Sequence, residues 1–423
     1  MFNRSNCGRF RSASVVVKKV LMICYYFPPI VTSGVTRSVE FSKLLPRYGW
    51  EPLVLTVKHS KDPWVQADLA AEPEGIRVER TFEWNLAGVV DFLHGCWCRV
   101  GRFLGMSPRR NLFREYLCIP DSQIAWFSTI PARKLAYECD LIYASCTPFS
   151  SSVSGAIVKR LTGRPLVIDF RDPWSLNPHM RPGRMRRAII RRLEGFVLDT
   201  CDALIVNSDS VAQVYASAYP NHRGKILAIP NGYDLLTPVD KGACGDDFQI
   251  MHVGSFFGSR NPDELLECLA EINRNDIVFV QVGGGFDSYD RFKDRVRIRI
   301  VPPLSRESAL RLMREASLLY LKQAASHYLA IAAKTYEYLA TGLPILAEVP
   351  AGDNAELVRR YASAGYVVTS SQRVDLRHAV EKAYEERSRT RVAIHPEFAT
   401  KFSREELAGQ LATLFDRLNK SGQ

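Results

Sequence analysis

"TPVDKGACGDDFQIMHVGSF", residues 237–256, decides how this chain is read. Its first part, 237–247, is polar and contains glycine, the composition of a linker. Its second part, 248–256, is an apolar run ending in a glycine turn, as in a buried strand that leads into a helix. Upstream, strand-like runs at 20–27, 52–57, 140–145, 165–170 and 203–208 alternate with helical patterns such as 36–47, 150–162 and 184–199, and "KILAIPNGYD" (225–234) then leads to the linker. Downstream the alternation starts afresh, with runs at 248–256, 276–285, 296–304, 318–323, 344–349 and 366–370. Such alternation builds parallel, doubly wound sheets. The reading is therefore α/β: two Rossmann-like domains facing across a cleft, 17–236 and 248–398, joined by the linker 237–247. Residues 1–16 read as a loose tail, and 399–423 as a closing helix with a capping-box pattern at Ser403 and Glu406. Ligands of such sheets sit at the carboxyl ends of the strands.

At 423 residues, 46% hydrophobic and 24% charged, the chain is long enough for two cores. A net charge of +11 favours an anionic partner: nucleotide, lipid headgroup or nucleic acid. Nucleic acid is disfavoured, because no basic stretch lies in a DNA- or RNA-binding motif. The ten cysteines are scattered, and the one tight pair, Cys96 and Cys98, has no second pair or histidine cluster beside it. That argues against zinc and for reduced thiols in a cytosolic compartment. No apolar run approaches the roughly 18 residues of a membrane span. "VLMICYYF" is short and reads as a first strand, not as a signal peptide. Residues 84–127 break the alternation with a helical, aromatic stretch carrying Arg99, Arg102, Arg109, Arg110 and Arg114. Arginines among apolar residues suit a helix at an anionic lipid interface, or a helix packed on the sheet with a solvated basic face. A second basic stretch, 181–196, extends the same surface or is a solvated helix face.

Four short segments carry candidate chemistry. Ser33 and Gly34 form a small-residue loop before the first helix, where backbone amides can approach an anion or sugar. "DFRDPW" (169–174) puts Arg171 and Asp172 at the end of an apolar strand. In 251–269, Gly254, Ser255, Ser259 and Arg260 lie between a strand and a helix, as a diphosphate requires. In "AIAAKTYEYLATGLPILA" (330–347), Lys334 and Glu337 share one helix face behind a narrow, alanine-rich start. Spacing alone leaves that pair balanced between a surface ion pair and a cation with a hydroxyl-binding carboxylate. No Asp-x-Asp, GxGxxG, Walker loop or Ser/His/Asp signature occurs.

Taken in order, "VLMICYYFPPIVTSGVTRSVEF", "PLVIDFRDPW", "CDALIVNSDSV", "IPNGYD", "HVGS" and "AAKTYEYLATGLPILA" resemble glycosyltransferase family 4, retaining enzymes of GT-B fold. The resemblance spans roughly 18–418 and is nearest to the bacterial surface-polysaccharide branch. It implies an N-terminal acceptor domain, a C-terminal nucleotide-sugar domain and a last helix that crosses back. It implies transfer of a sugar from a nucleoside diphosphate to an acceptor, without cofactor or metal; the basic aromatic insert 84–127 adds the expectation of a saccharide or lipid-linked acceptor at the inner face of the plasma membrane. By the same resemblance Ser33 and Gly34 contact the diphosphate and transferred sugar, and Arg171 stands where many members have a histidine, with Asp172 after it. Arg260 takes the place of a phosphate-binding lysine, and Ser255 that of an arginine. Asn231, in "IPNGYD", and Ser259 join the donor-binding set. Lys334 is assigned to the diphosphate and Glu337 to ribose, as the second glutamate of an E-x7-E pair. Leu329 stands where the first glutamate belongs. That departure keeps a non-catalytic glycosyltransferase-like binding subunit as an alternative, beside a sugar-nucleotide epimerase of the same fold. A nicotinamide-dependent oxidoreductase lacks its fingerprint.

Overall fold

The computed structural model describes residues 17–30, 32, 34–60, 72–103, 111–178, 180, 182–234, 247–256, 258, 260–284, 289–369, 372–389 and 392–421. The tail 1–16 and the linker except Asp247 lie outside the described residues.

The first sheet has seven parallel strands: β1 (Lys18–Cys24), β2 (Trp50–Val57), β3 (Arg77–Thr81), β4 (Leu141–Cys146), β5 (Leu166–Phe170), β6 (Ala203–Val206) and β7 (Ile226–Ala228). Their spatial order is β3-β2-β1-β4-β5-β6-β7. The central strands are buried on both faces, which is why they read as unbroken apolar runs. The sequence reading missed β3, "RVERT". It is a half-buried edge strand paired only with β2, and its charges hide it from an apolar-run criterion. The stretch 225–234 contributes only the short β7, and from Ile229 the chain leaves the sheet.

The second sheet has six parallel strands: β8 (Phe248–Val253), β9 (Ile277–Val282), β10 (Arg297–Val301), β11 (Leu318–Lys322), β12 (Ile345–Glu348) and β13 (Gly365–Val368). Their order is β10-β9-β8-β11-β12-β13. Each sheet thus reverses direction once, between β1 and β4 and between β8 and β11. Those two switch points are where ligands of doubly wound sheets bind.

The chain crosses between the sheets twice. The Tyr233 amide donates to the Phe402 carbonyl at 3.0 Å, and the Arg404 amide to the Tyr233 carbonyl at 3.0 Å. The last helix, Arg404–Ser421, then buries Leu407, Leu411 and Phe415 in the core of the first sheet. Phe415 meets Trp50 edge-on at 5.3 Å, and the Trp50 indole donates to Asp416 at 2.9 Å.

One buried ion pair ties the opening helix, Val35–Leu44, to the sheet. Arg37 Nε donates to Asp169 Oδ2 at 2.7 Å, and its Nη2 to Oδ1 at 3.2 Å. The same guanidinium donates to the carbonyls of Ile229 (2.9 Å) and Pro230 (2.6 Å). Tyr143 completes the carboxylate's shell through its hydroxyl. Asp169 is the first acid of "DFRDPW", and its work is structural.

The 84–127 segment contains helices Leu86–Phe103 and Leu112–Leu117. Arg114 joins them by an ion pair with Asp91 at 2.9 Å. Expected as part of a surface for lipid or acceptor, it is engaged in holding the two helices together.

Candidate functional site

The helix Ala333–Thr341 begins without a side-chain cap, and Lys334 is its second residue. The Lys334 ammonium lies 3.1 Å from His252 Nε2. His252 Nδ1 lies 2.9 Å from the Tyr320 carbonyl, which can only accept, so Nδ1 carries the proton and Nε2 accepts from Lys334. The ring is buried and stacked on Phe256 at 4.0 Å. Burial first, and then the charge of Lys334, push the His252 pKa well below the usual histidine range, so the ring is a neutral acceptor at pH 7. Burial and the nearby Arg260 pull Lys334 down to about 8, partly opposed by Glu337 one turn on. Two cations held together in a desolvated place favour an anion between them.

Backbone floors this site. Gly254 has φ +117°, and a Cβ there would stand 2.8 Å from the Lys334 ammonium. Gly283, at φ +123°, packs so closely that its Cβ would fall 3.1 Å from the Gly254 carbonyl carbon. Gln281 fixes the pair, donating to the carbonyls of Gly254 (2.6 Å) and Gly284 (3.3 Å). Exposed Ser255 sits over Gly284.

Lys334 gives the site a pH dependence. Its charged fraction falls as pH rises through about 8. Affinity for a nucleoside diphosphate is expected to weaken from pH 7 to pH 9, and titration calorimetry across that range reads it. A Lys334→Arg variant, always charged, should flatten the profile. Stability moves the other way: above about 8 the unfolded lysine, near 10.5, holds the proton that the folded one has lost, so stability rises with pH in that window.

Across from this site, at the β1/β4 switch, Gly34 and Arg171 form one unit. Gly34 caps the opening helix, and its amide donates to Thr32 Oγ1 at 3.2 Å. A Cβ on Gly34 would stand 2.2 Å from Arg171 Nη1, so any larger residue would push the guanidinium from this position. Arg171 donates to the carbonyls of Cys146 (3.0 Å) and Thr147 (2.8 Å). Asp172 follows it and is exposed.

Ser33, Ser259, Arg109 and Arg110 lie outside the described residues. Leu329 is 8% exposed and belongs to the hydrophobic cluster of the first sheet, so this residue of the second domain packs across the cleft as an apolar contact. Asn231 lies in the crossing segment between Pro230 and Gly232. The sequence reading also missed a buried network. Gln323 donates to the carbonyls of His327 (3.0 Å) and Ala330 (2.6 Å). It accepts from Asn354 at 2.8 Å, which in turn accepts from Thr335 at 2.6 Å. This network fixes the loop that carries Leu329 and the start of the Lys334 helix. No motif announces it; His252, by contrast, stood in the quoted "HVGS" without a role.

A hollow of about 580 Å³ opens beyond β1 and β4, lined by Tyr26, Asn111, Arg114, Asp121, Phe149 and Arg186. The helix Leu86–Phe103 borders this region and leaves Val89, Phe92, Trp97, Val100 and Phe103 exposed, the last at 90%. Arg99 and Arg102 are exposed between them. Among the described residues no helix is long and apolar enough to cross a membrane.

Residues 33–235 match the family model described as Glycosyltransferase Family 4. The match covers the first sheet from β2 onward, with the Gly34–Arg171 unit, and leaves out β1. Over the whole chain, solved structures share the architecture. Sucrose-phosphate synthase from Thermosynechococcus elongatus is similar with a TM-score of 0.68 at 16% identity, over 96% of this chain and 100% of that one. HepE from Anabaena, in complex with UDP-glucose, gives 0.57 at 15%, over 96% and 98%. The lipopolysaccharide outer core galactosyltransferase WaaB gives 0.52 at 12%, over 96% and 97%. The fold is GT-B, as the sequence reading expected. No curated protein matches the chain.

Proposed function

We propose that this protein is a family 4 glycosyltransferase that moves a sugar from a nucleoside diphosphate to an acceptor. The observation that carries the reading is the desolvated pair Lys334 and Arg260 over the Gly254–Gly283 floor, at a switch point. The diphosphate lies against the two cations and the glycine backbone, and Glu337 takes the ribose hydroxyls. The reaction is retaining and independent of metal. The bond from the anomeric carbon to the diphosphate breaks as an acceptor oxygen attacks from the same face, and the departing diphosphate takes the acceptor's proton. Lys334 and Arg260 stabilise the charge that develops on the leaving group. UDP-glucose in the HepE structure supports a nucleotide sugar as donor. A mass-spectrometric screen of the purified protein against nucleotide sugars, with and without lipid-linked saccharides, tests the reading. Absence of both transfer and slow donor hydrolysis overturns it. Leu329, turned to packing where a sugar-binding glutamate is expected, favours one rival, a non-catalytic binding subunit. That rival predicts donor binding without turnover.

The acceptor is saccharide or lipid-linked, as in bacterial polysaccharide assembly, and it occupies the hollow beside Tyr26 and Phe149. The exposed apolar face of Leu86–Phe103, flanked by Arg99 and Arg102, docks on the anionic inner face of the plasma membrane. Vesicles of anionic lipid should float the protein. Replacing Arg99 and Arg102 by alanine should weaken that binding about thirtyfold, at about 1 kcal/mol for each basic residue near the surface. Flotation unchanged by the double variant would sink the membrane assignment.

A further inference from the structure

A second cavity, of about 370 Å³, lies between the domains but away from both switch points. Its walls follow β6 and β7 in the first sheet and β12 in the second, on the hinge side of the cleft. Tyr336 lines it, whereas Lys334, two residues earlier, meets His252 and Gly254. Among the described residues, three side-chain atoms in its walls are buried with no hydrogen-bond partner: Asn207 Oδ1, Tyr336 Oη and Asp353 Oδ2. Asn207 and Tyr336 are 3% and 0% exposed.

Neighbouring bonds fix which groups are left for a ligand. Asn207 Nδ2 donates to the Arg171 carbonyl at 2.6 Å, which leaves the amide oxygen as an acceptor. Ser210 takes Asp353 Oδ1 from across the domain boundary, which leaves Oδ2. The Pro230 carbonyl is already taken by Arg37. The buried part of the cavity thus offers an amide oxygen and a carboxylate oxygen as acceptors and one phenol that can donate or accept. The rest of its lining joins apolar and aromatic side chains, with Phe402 5.7 Å from Tyr336 and 5.5 Å from Tyr361, to an exposed polar and charged rim of Asp209, Glu356, Arg360, Lys401 and Gln410. Hydroxyl groups satisfy such a set, and the C–H faces of a sugar ring suit the aromatic wall. A volume at the small end of ligand pockets, which run from about 300 Å³, suits one sugar ring rather than a nucleotide.

We propose that this hinge cavity is a second saccharide site, for a neutral monosaccharide, separate from the site of transfer. Its occupant joins the two domains through Asn207 and Asp353. Through Asn207 it also touches the residue that holds the Arg171 carbonyl, so occupancy couples to the cleft. The proposal does not depend on the transfer reading, since it concerns binding alone.

Hydrogen–deuterium exchange and calorimetry on the full chain, with D-glucose, D-galactose and N-acetyl-D-glucosamine as probes, test it. At least one sugar should bind saturably, with a Kd of about millimolar order, and protect residues 207–210 and 353–361. Asp353→Asn should weaken that binding by about tenfold or more, as loss of hydrogen bonds to a charged acceptor does. Tyr336→Phe, which removes only a hydroxyl, should weaken it less, and Lys334→Ala should leave it unchanged. The proposal is overturned if no probe protects these segments, or if glycerol protects them equally. It is also overturned if Asp353→Asn and Tyr336→Phe bind like the wild type, or if Lys334→Ala abolishes binding. Exchange in the wild-type chain decides the matter even where a variant folds poorly.

Discussion

Lys334→Ala is expected to lower kcat/KM for the sugar donor by about 100- to 1,000-fold, the loss seen when one preorganised donor to a developing charge is removed. The ammonium is the group held closest to the Gly254 floor, and His252 keeps it in place without neutralising it. A neutral acceptor behind a cation leaves its charge for an anionic ligand; a carboxylate there would cancel it. Lys334→Arg keeps the charge but needs room that the site does not offer, so it should recover only part of the activity. Steady-state kinetics with the donor found by screening measures both variants. An alanine variant with unchanged kcat/KM would remove Lys334 from the mechanism and leave Arg260 as the cation to examine.

Asp169→Ala is expected to destabilise the first domain by about 3–5 kcal/mol, because it leaves the Arg37 guanidinium buried without its partner. Arg37 is 5% exposed and Asp169 0%, so solvent cannot take over the lost interaction. The neighbouring Asp172→Ala, at an exposed position, should stay within about 0.5 kcal/mol of the wild type. Denaturant melts of the two variants give the comparison directly. Equal midpoints would mean that the pair is replaceable. The contrast also separates two acids of one motif: buried Asp169 orders the opening helix, whereas Asp172 is exposed just beyond β5.

Much of the site was legible in the sequence because it depends on local geometry. Gly254, Arg260 and Lys334 stand at strand-to-helix junctions, and such junctions announce themselves by a change of hydrophobic period. Gly34 was legible as a small residue before a helix, but its reason was not. The space that a side chain there would enter is filled by Arg171, 137 positions later in the chain. His252 was visible as a letter and silent as chemistry, since its tautomer depends on a carbonyl of β11. Leu329 was read by what it lacks. Only packing revealed what it does, which is to close the first sheet's core from the opposite domain.

Strand–helix alternation, with its interruption at 237–247 and its restart at 248, by itself determined two doubly wound α/β domains. Buried parallel strands must be continuous apolar runs, and polar linkers must not be. The order of strands in each sheet, the two switch points and the return of Arg404–Ser421 to the first core were decided by tertiary structure. So were the buried Arg37–Asp169 pair and the hinge cavity. In each case the partners are far apart in the chain, and hydrophobic period reports which face is buried but not what covers it.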